Sequence, residues 1–423
     1  MLQKITLGYV EPLDDGFDKE VFPSKVGGKP KWLDPTCPLS ADKVICDECN
    51  KPMAMLLQLY APEDEPAAAF HRMIYVFVCH NGRCHKVAAS RCMRVFRSQL
   101  PEHNGLYIEK VGESTANTLL AGSGGRACGS EEEGDIDDDV EWEISRNIKL
   151  ASLCVVCGLL GNKACSKCHT RHYCSRDHQI IDWESGHRNQ CKRNEQTPEH
   201  GINIYRTIFP EHLIVSEEEE EENGIVDNSN IEDSDDDAED NEGIKPEDMA
   251  LVPVNSERVE DSAVDVDRAF LLFQNHTAKN SDQVLRYARA PDSNQAGEPL
   301  YVSDADKPEL GVDVPKCGSC GAKREFEFQI MPQMLNYLSI DSTDPSSIDW
   351  GTLLVYTCSN NCSTEPEDCG RKTTTQKTDK SIAYLPEIIC RQNFSSQGIG
   401  EKYVRAMHGD DSGFEQQFES LNV

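Results

Sequence analysis

Cys46-Asp47-Glu48-Cys49, then Gln58 and Pro62, then Met73-Ile74-Tyr75-Val76-Phe77-Val78-Cys79 with Cys84, form a pattern that the chain writes twice. The second copy runs Cys317-Gly318-Ser319-Cys320, then Gln329 and Pro332, then Gly351-Thr352-Leu353-Leu354-Val355-Tyr356-Thr357-Cys358 with Cys362. In both copies the Gln stands nine residues past the second Cys. Each reads as a CxxC turn, a strand, a connection, a second strand and a further Cys pair. This is the arrangement of a zinc ribbon, in which two knuckles at strand ends offer four thiolates to one tetrahedral ion. Glu325-Phe326-Glu327-Phe328-Gln329-Ile330 alternates apolar with polar side chains, as a half-buried strand requires. Two such units at opposite ends of the chain predict a pseudo-symmetric pair packed into one β-rich body, with the middle of the chain as an insertion.

The insertion carries its own metal pattern. Cys154-Val155-Val156-Cys157, Cys165-Ser166-Lys167-Cys168, Cys174 with His178, and His187 with Cys191 supply eight ligands, enough for two tetrahedral zinc ions. So short a segment has few apolar residues to bury, and ligation would supply the missing folding energy, about 10–16 kcal/mol per structural site. The segment is expected to unfold without zinc. Four-ligand sites are closed and hold structure instead of activating water. His169 and His172 fall off the pattern and read as solvated loop histidines. Sixteen ligands and four ions account for 14 of the 19 cysteines, leaving Cys37, Cys92, Cys128, Cys369 and Cys390, of which Cys92 and Cys369 lie nearest the two ribbons in sequence.

A chain of 423 residues holds two or three domains. Its net charge of −32 is local: residues 217–248 contain 17 acidic residues against Lys245 alone, and residues 131–143 contain nine and no base. The remainder, 48 acidic against 41 basic residues, has no basic footprint for nucleic acid. The acidic tracts lack apolar residues and repel themselves, so they read as disordered, solubilising linkers. A sharper reading makes them a nucleic-acid mimic that shields a basic client, or a carrier of phosphorylated serines such as Ser234. Met1–Val10 is too polar for a secretory signal, and no apolar run approaches the length of a membrane span. With so many cysteines this points to a soluble protein of a reducing compartment, cytoplasmic and nuclear, and a monomer is expected.

Two helices complete the expectation: one from Asp267 to Phe273, and a second capped by Ser281-Asp282 and running through Leu285 and Tyr287. Trp183 and Trp350 read as core anchors. No enzyme is expected. Gly27-Gly28-Lys29-Pro30 lacks the preceding strand and spaced glycines of a phosphate loop and reads as a turn before Trp32. No Ser/His/Asp or Cys/His set stands outside the zinc pattern, and Cys37 reads as a lone thiol without an activating neighbour.

The insertion, with Tyr173-Cys174-Ser175-Arg176 and Asp182-Trp183-Glu184-Ser185-Gly186-His187, resembles the MYND zinc finger. The resemblance implies interleaved ligation, Cys154, Cys157, Cys174 and His178 on one ion and Cys165, Cys168, His187 and Cys191 on the other, with His178 where Cys is commoner. MYND fingers also accompany lysine methyltransferases, whose cofactor motifs are missing here.

On a larger scale, Leu7-Gly8-Tyr9, Phe22-Pro23-Ser24-Lys25-Val26-Gly27-Gly28-Lys29-Pro30 with Trp32-Leu33, and Leu57-Gln58-Leu59-Tyr60-Ala61-Pro62 resemble the amino-terminal domain of the programmed cell death protein 2 family. Gln283-Val284-Leu285-Arg286-Tyr287, Gly321-Ala322-Lys323-Arg324-Glu325-Phe326-Glu327-Phe328-Gln329 and Ile348-Asp349-Trp350-Gly351 resemble its carboxy-terminal domain. The chain departs from that family at Thr373-Thr374-Thr375 and Pro386, and the likeness ends near Asn393.

The expected organisation is a ribbon module over 1–115, an acidic linker over 116–149, the finger over 150–195, a connection over 196–215, a disordered acidic linker over 216–262, the second ribbon module over 263–392 and a divergent tail over 393–423. In fold class this is a β-rich α+β protein carrying an inserted finger on acidic tethers. The resemblance implies a role in making the small ribosomal subunit, as a dedicated chaperone for one newly made ribosomal protein of the uS-five class. The competing reading is a nuclear adaptor whose finger docks proline-containing peptides of chromatin regulators.

Overall fold

The computed structural model describes residues 5–13, 17, 21–109, 142–146, 148–191, 207–219, 267–289, 297–341, 343–344, 346–363 and 384–394. Its strands are β1 (Thr6–Glu11), β2 (Lys25–Val26), β3 (Ala54–Tyr60), β4 (His71–Val78), β5 (Met93–Leu100), β6 (Tyr107–Glu109), β7 (Trp142–Ile144), β8 (Lys163–Ala164), β9 (His172–Tyr173), β10 (His212–Glu218), β11 (Leu285–Tyr287), β12 (Arg324–Ile330), β13 (Thr352–Cys358) and β14 (Leu385–Gln392). Ten of them close into a barrel in the order β1-β10-β2-β3-β4-β5-β14-β13-β12-β11, while β6 pairs with β7 and β8 with β9. Closure leaves no long free edge.

The sequence repeat is a structural one. The meander β3-β4-β5 matches β12-β13-β14, and each copy has a register shift at the same place, between Met55 and Leu57 and between Phe326 and Phe328. Gln58 and Gln329 follow these bulges at equal distance and do the same work. Gln58 accepts from the Lys31 N–H at 2.9 Å and donates to the Pro23 carbonyl at 3.0 Å. Gln329 accepts from the Leu300 N–H at 2.7 Å and donates to the Leu300 carbonyl at 3.0 Å. Both are buried, and each ties a crossing segment to the wall of the barrel.

The two halves are interleaved, which the repeat did not foretell. One five-stranded half is β10-β2-β3-β4-β5 and the other is β1-β11-β12-β13-β14. β1 leaves the amino-terminal copy to pair with β11, and β10 returns from beyond the finger to pair with β2. Neither half is therefore one continuous stretch of chain. Gly8 permits the first crossing, since a Cβ there would lie 2.9 Å from Leu285 Cβ.

The expected connection at 196–215 and acidic linker from 216 are corrected at their junction: His212-Leu213-Ile214-Val215 is apolar enough to join the wall, Ile214 is buried, and β10 runs on to Glu218. The end of the expected linker 116–149 likewise contains β7, paired with β6. The rest of both acidic tracts, and the tail beyond 394, lie outside the described residues.

Charge pairs bind the halves across the interior. Arg72 on β4 meets Glu327 on β12 through two hydrogen bonds of 2.5 and 2.6 Å, both residues being fully buried. Arg289 adds a third contact to Glu327 at 3.1 Å and pairs with Glu63 at 2.6 Å. Glu387 on β14 joins Arg97 of β5 at 2.8 Å and Arg324 of β12 at 2.9 Å. Burial alone would raise the Glu327 pKa; Arg72 and Arg289 outweigh it and hold the carboxyl well below the usual carboxylate range.

Smaller expectations resolve unevenly. The first helix exists as Arg268–Lys279, burying Ala269 and Phe273. The second does not: Leu285 and Tyr287 sit two apart on strand β11 between β1 and β12, where alternation and not helical spacing governs. Trp350 is a core anchor and donates to the Met331 carbonyl at 3.3 Å, whereas Trp183 is only half-buried, under the Lys167 ammonium at 5.0 Å. Pro386 lies on β14 opposite Phe96 of β5, before the pairing with β13 begins at Ile388, so its missing N–H breaks no bond to β13. Gly27 and Gly28 form the expected turn: both have left-handed φ, and a Cβ on Gly27 would fall 2.0 Å from the Pro210 carbonyl oxygen.

Candidate metal centres

Four clusters of ligand atoms gather, each within 4.8 Å: Cys46, Cys49, Cys79 and Cys84; Cys154, Cys157, Cys174 and His178; Cys165, Cys168, His187 and Cys191; and Cys317, Cys320, Cys358 and Cys362. These bring together all sixteen side chains named from the sequence, grouped as the spacing and the finger resemblance implied.

The geometry suits zinc. A tetrahedral ion with Zn–S of about 2.3 Å separates its sulfurs by about 3.8 Å, far beyond a disulfide's 2.05 Å. The Sγ–Sγ distances are 3.6 Å for Cys49–Cys79, 3.5 Å for Cys157–Cys174, 3.8 Å for Cys165–Cys191, 3.6 Å for Cys317–Cys362 and 3.5 Å for Cys320–Cys358. His178 enters through Nδ1, 3.5 Å from Cys154 Sγ, and His187 through Nε2, 3.5 Å from Cys168 Sγ.

One backbone device recurs at all four CxxC turns. The residue after the second Cys, which is Asn50, Gly158, His169 or Gly321, has left-handed φ, and its N–H donates at 2.8–2.9 Å to the carbonyl of the first Cys. This turn aims both thiolates at one point. His169, assigned from the sequence to a solvated loop, is exposed but holds this knuckle position, and His172 lies half-buried on β9 with Nδ1 3.3 Å from the Gly161 carbonyl. The signal was available in the sequence, since Gly and Asn are the residues that most readily adopt this conformation.

Within the finger, Ser175 caps the helix Arg176–Asp182 by accepting from the His178 N–H at 3.1 Å, which sets His178 on the first turn. The buried Asp182 carboxylate receives Arg171 and the Tyr173 hydroxyl, each at 2.6 Å, and so joins the second knuckle to the helix.

The outer clusters are held by the opposite half of the barrel. Arg97 on β5 donates to the Cys362 carbonyl at 3.1 Å, with Gln99 on the Asn361 carbonyl at 2.8 Å. Reciprocally, Arg391 on β14 donates to the Val87 carbonyl at 2.8 Å, just past Cys84.

The finger is docked on the barrel instead of hanging on tethers. Trp32 Nε1 donates to the Gly158 carbonyl at 2.7 Å, Ala151 N–H to Pro35 at 3.0 Å and Leu160 N–H to Leu39 at 3.0 Å. Val156, Leu159 and Tyr173 belong to the same apolar core as Trp32 and Leu39. Gly158 is needed there twice over, for φ +74° and because a Cβ would sit 2.9 Å from Lys29 Cβ.

Of the leftover cysteines, Cys92 is buried, its pKa pushed up to about 11, and Cys390 is half-buried, pushed up to about 12, both chiefly by burial, so they remain thiols. Cys37 is disulfide-bonded, not a lone thiol; such pairing is a tertiary contact that no local spacing reveals. Cys128 and Cys369 lie outside the described residues.

Comparison with known proteins adds to this geometry. Residues 4–114 match the family model for the programmed cell death protein 2 N-terminal domain, residues 267–393 that for its C-terminal putative domain, and residues 154–191 the MYND finger. Programmed cell death protein 2 of Bos taurus is 36% identical over 379 residues, covering 84% of this chain and 91% of its own. The Rattus norvegicus protein of that name is 34% identical over 360 residues, covering 85% and 92%. A shorter likeness, 34% identity over 107 residues, covers 23% of this chain and 24% of the probable 20S rRNA accumulation protein 4 of Schizosaccharomyces pombe. No solved structure matches.

Proposed function

The chain belongs to the programmed cell death protein 2 family, and on that premise we propose that it serves ribosome biogenesis as a dedicated chaperone. It takes up one newly made small-subunit ribosomal protein of the uS-five class, keeps it stable, and escorts it to assembly. The observation that carries this reading is the relative in fission yeast whose name speaks of rRNA accumulation. Physical chemistry supports it. An acidic chain attracts basic ribosomal clients, and a closed barrel cross-tied by buried ion pairs makes a rigid platform.

In this reading the protein is not an enzyme. It is a monomer of cytoplasm and nucleus that binds neither nucleic acid nor membrane. Each of the four ligand clusters takes one zinc ion, the outer two as ribbon-like knuckle pairs and the inner two as the finger, and all four ions are structural. The adaptor reading gains no specific observation, because the finger's packing on Trp32 and Leu39 gives it a task within the fold.

The test is affinity capture of the tagged full-length protein from lysate cleared of intact ribosomes, with mass spectrometry of stoichiometric partners. One free small-subunit ribosomal protein is expected. A chromatin or transcription complex without any ribosomal protein would overturn the chaperone reading.

A further inference from the structure

The internal repeat is broken at one place. In the carboxy-terminal half the chain continues past β11: the Val284 N–H donates to the Gly8 carbonyl at 2.8 Å, and the Val284 carbonyl accepts from the Met331 N–H at 2.9 Å. Lys25 lies opposite Gln58 as Arg286 lies opposite Gln329, so Pro23 occupies the position of Val284. Proline has no N–H to give. The Pro23 carbonyl is turned to Gln58, and Phe22 swings aside to stack on Tyr60 at 5.1 Å and to meet His71 and Tyr107. The strand ends where the Ile214 N–H reaches the Ser24 carbonyl at 2.9 Å.

Among the described residues no backbone continues this strand. A cleft of about 200 Å³ opens here, lined by Leu59, Tyr60 and Pro62 at the end of β3, by Ser216 of β10, and by Leu7 of β1 and Tyr287 of β11. Ser216 is exposed and two residues beyond Ile214, so its N–H and C=O face the same way, into the cleft, while its opposite edge meets Gly8 of β1.

Charge marks the same spot. β3 and β10 both run antiparallel to β2 and hence parallel to each other, with Gln58 and Leu213 level across Lys25. Asp64 and Glu65, following β3, therefore come to the same end of the cleft as Glu217 on β10, and all three are exposed. No Lys or Arg occurs in 59–66 or 214–219.

We propose that this vacated strand position binds an extended basic peptide, which adds as a strand to β10 and sets its Lys or Arg side chains against Asp64, Glu65 and Glu217. Main-chain bonds to Ser216 give the docking its direction, and the acids select the sign of charge. The inference rests on the binding-protein reading above and names the chemistry of what is bound.

The experiment uses the full-length, zinc-loaded protein and two fluorescent ten-residue probes, one alternating Arg with Val and one alternating Glu with Val. Anisotropy should show binding of the Arg probe alone. Ser216→Pro removes the Ser216 N–H that faces the cleft and spares the pairing with β1, since proline is tolerated at an edge. It should weaken the Arg probe about tenfold with an unchanged unfolding midpoint. Asp64→Lys with Glu65→Lys, in a surface loop, should weaken it by a similar factor. If the charge variant weakens binding and Ser216→Pro does not, the acids act as a diffuse field and the strand slot is refuted. A dimer of the wild-type chain that Ser216→Pro dissolves would assign the cleft to a second copy and equally overturn the proposal. Capture of a ribosomal protein in equal amounts by wild type and Ser216→Pro defeats the slot and leaves the chaperone reading standing. Probe binding that Ser216→Pro abolishes, with no ribosomal protein captured, does the reverse.

Discussion

Replacing Glu327 by Gln should destabilise the barrel by about 3–5 kcal/mol at pH 7, the usual cost of removing one partner from a buried ion pair. The carboxylate accepts from Arg72 at 2.5 and 2.6 Å, from Arg289 at 3.1 Å and from the Tyr287 hydroxyl at 3.1 Å, and also from the Thr357 hydroxyl. Glutamine has the same volume, so no cavity contributes. It keeps one acceptor oxygen and turns an NH₂ toward donors, leaving two buried guanidinium groups short of a counter-charge. Arg289 retains Glu63 at 2.6 Å, so the loss falls mainly on Arg72.

Because the folded carboxyl is held below its ordinary range, its contribution is present above the unfolded pKa of about 4.3 and disappears as pH falls through the lower folded value. The gap between wild type and variant should accordingly narrow in acid. Urea unfolding with saturating zinc reads the difference as a shifted midpoint at constant slope. The double variant Arg72→Met with Glu327→Met should cost less than Glu327→Gln alone, since no orphaned charge remains on β4. A Glu327→Gln protein within about 1 kcal/mol of wild type would refute the claim that this pair clasps the two halves.

Other expectations can be checked on the same material. Gln58→Leu and Gln329→Leu should each cost about 2 kcal/mol in urea unfolding, because each leaves a backbone donor and a backbone acceptor beside a buried apolar side chain at equivalent places in the repeat. Trp32→Phe should remove about 1 kcal/mol of finger docking, seen as faster amide exchange over residues 151–160 and faster zinc release to a chelator. Burial depresses the His71 pKa to about 4, so this ring stays neutral in the fold. With an unfolded value of about 6.5, its contribution is complete above that pH and falls by up to about 1.4 kcal/mol per unit toward pH 4. His71→Phe should flatten the stability curve of that window, zinc loss being common to both proteins, and an unchanged curve would count against a buried neutral imidazole.

The ligand clusters were legible because zinc chemistry is local. CxxC spacing delivers two thiolates within one turn, and repetition of the motif announced both the finger and the two outer sites. The strands carrying those turns were legible for a similar reason, since Glu325–Ile330 states its alternation outright. Leu285 and Tyr287 misled because three residues do not suffice to separate strand alternation from a capped helical turn; pairing with Gly8 and Ile330 decides it. His212–Glu218 was hidden beside an acidic run whose composition dominates any short window, although four apolar-leaning residues were enough for a barrel strand.

Sequence alone thus determined which side chains gather into the four ligand clusters, that the chain folds as a β-rich repeat, and that a finger interrupts it, because each depends on spacing within a few dozen residues. Tertiary structure alone decided that the repeats exchange β1 and β10, that Arg72 finds Glu327 some 255 positions away, and that the finger rests on Trp32. It also decided that Val284 is paired on both sides at the repeat position where Pro23 ends its strand. Those outcomes depend on closing the sheet into a barrel, and closure is a property of the whole set of strands and of no segment within it.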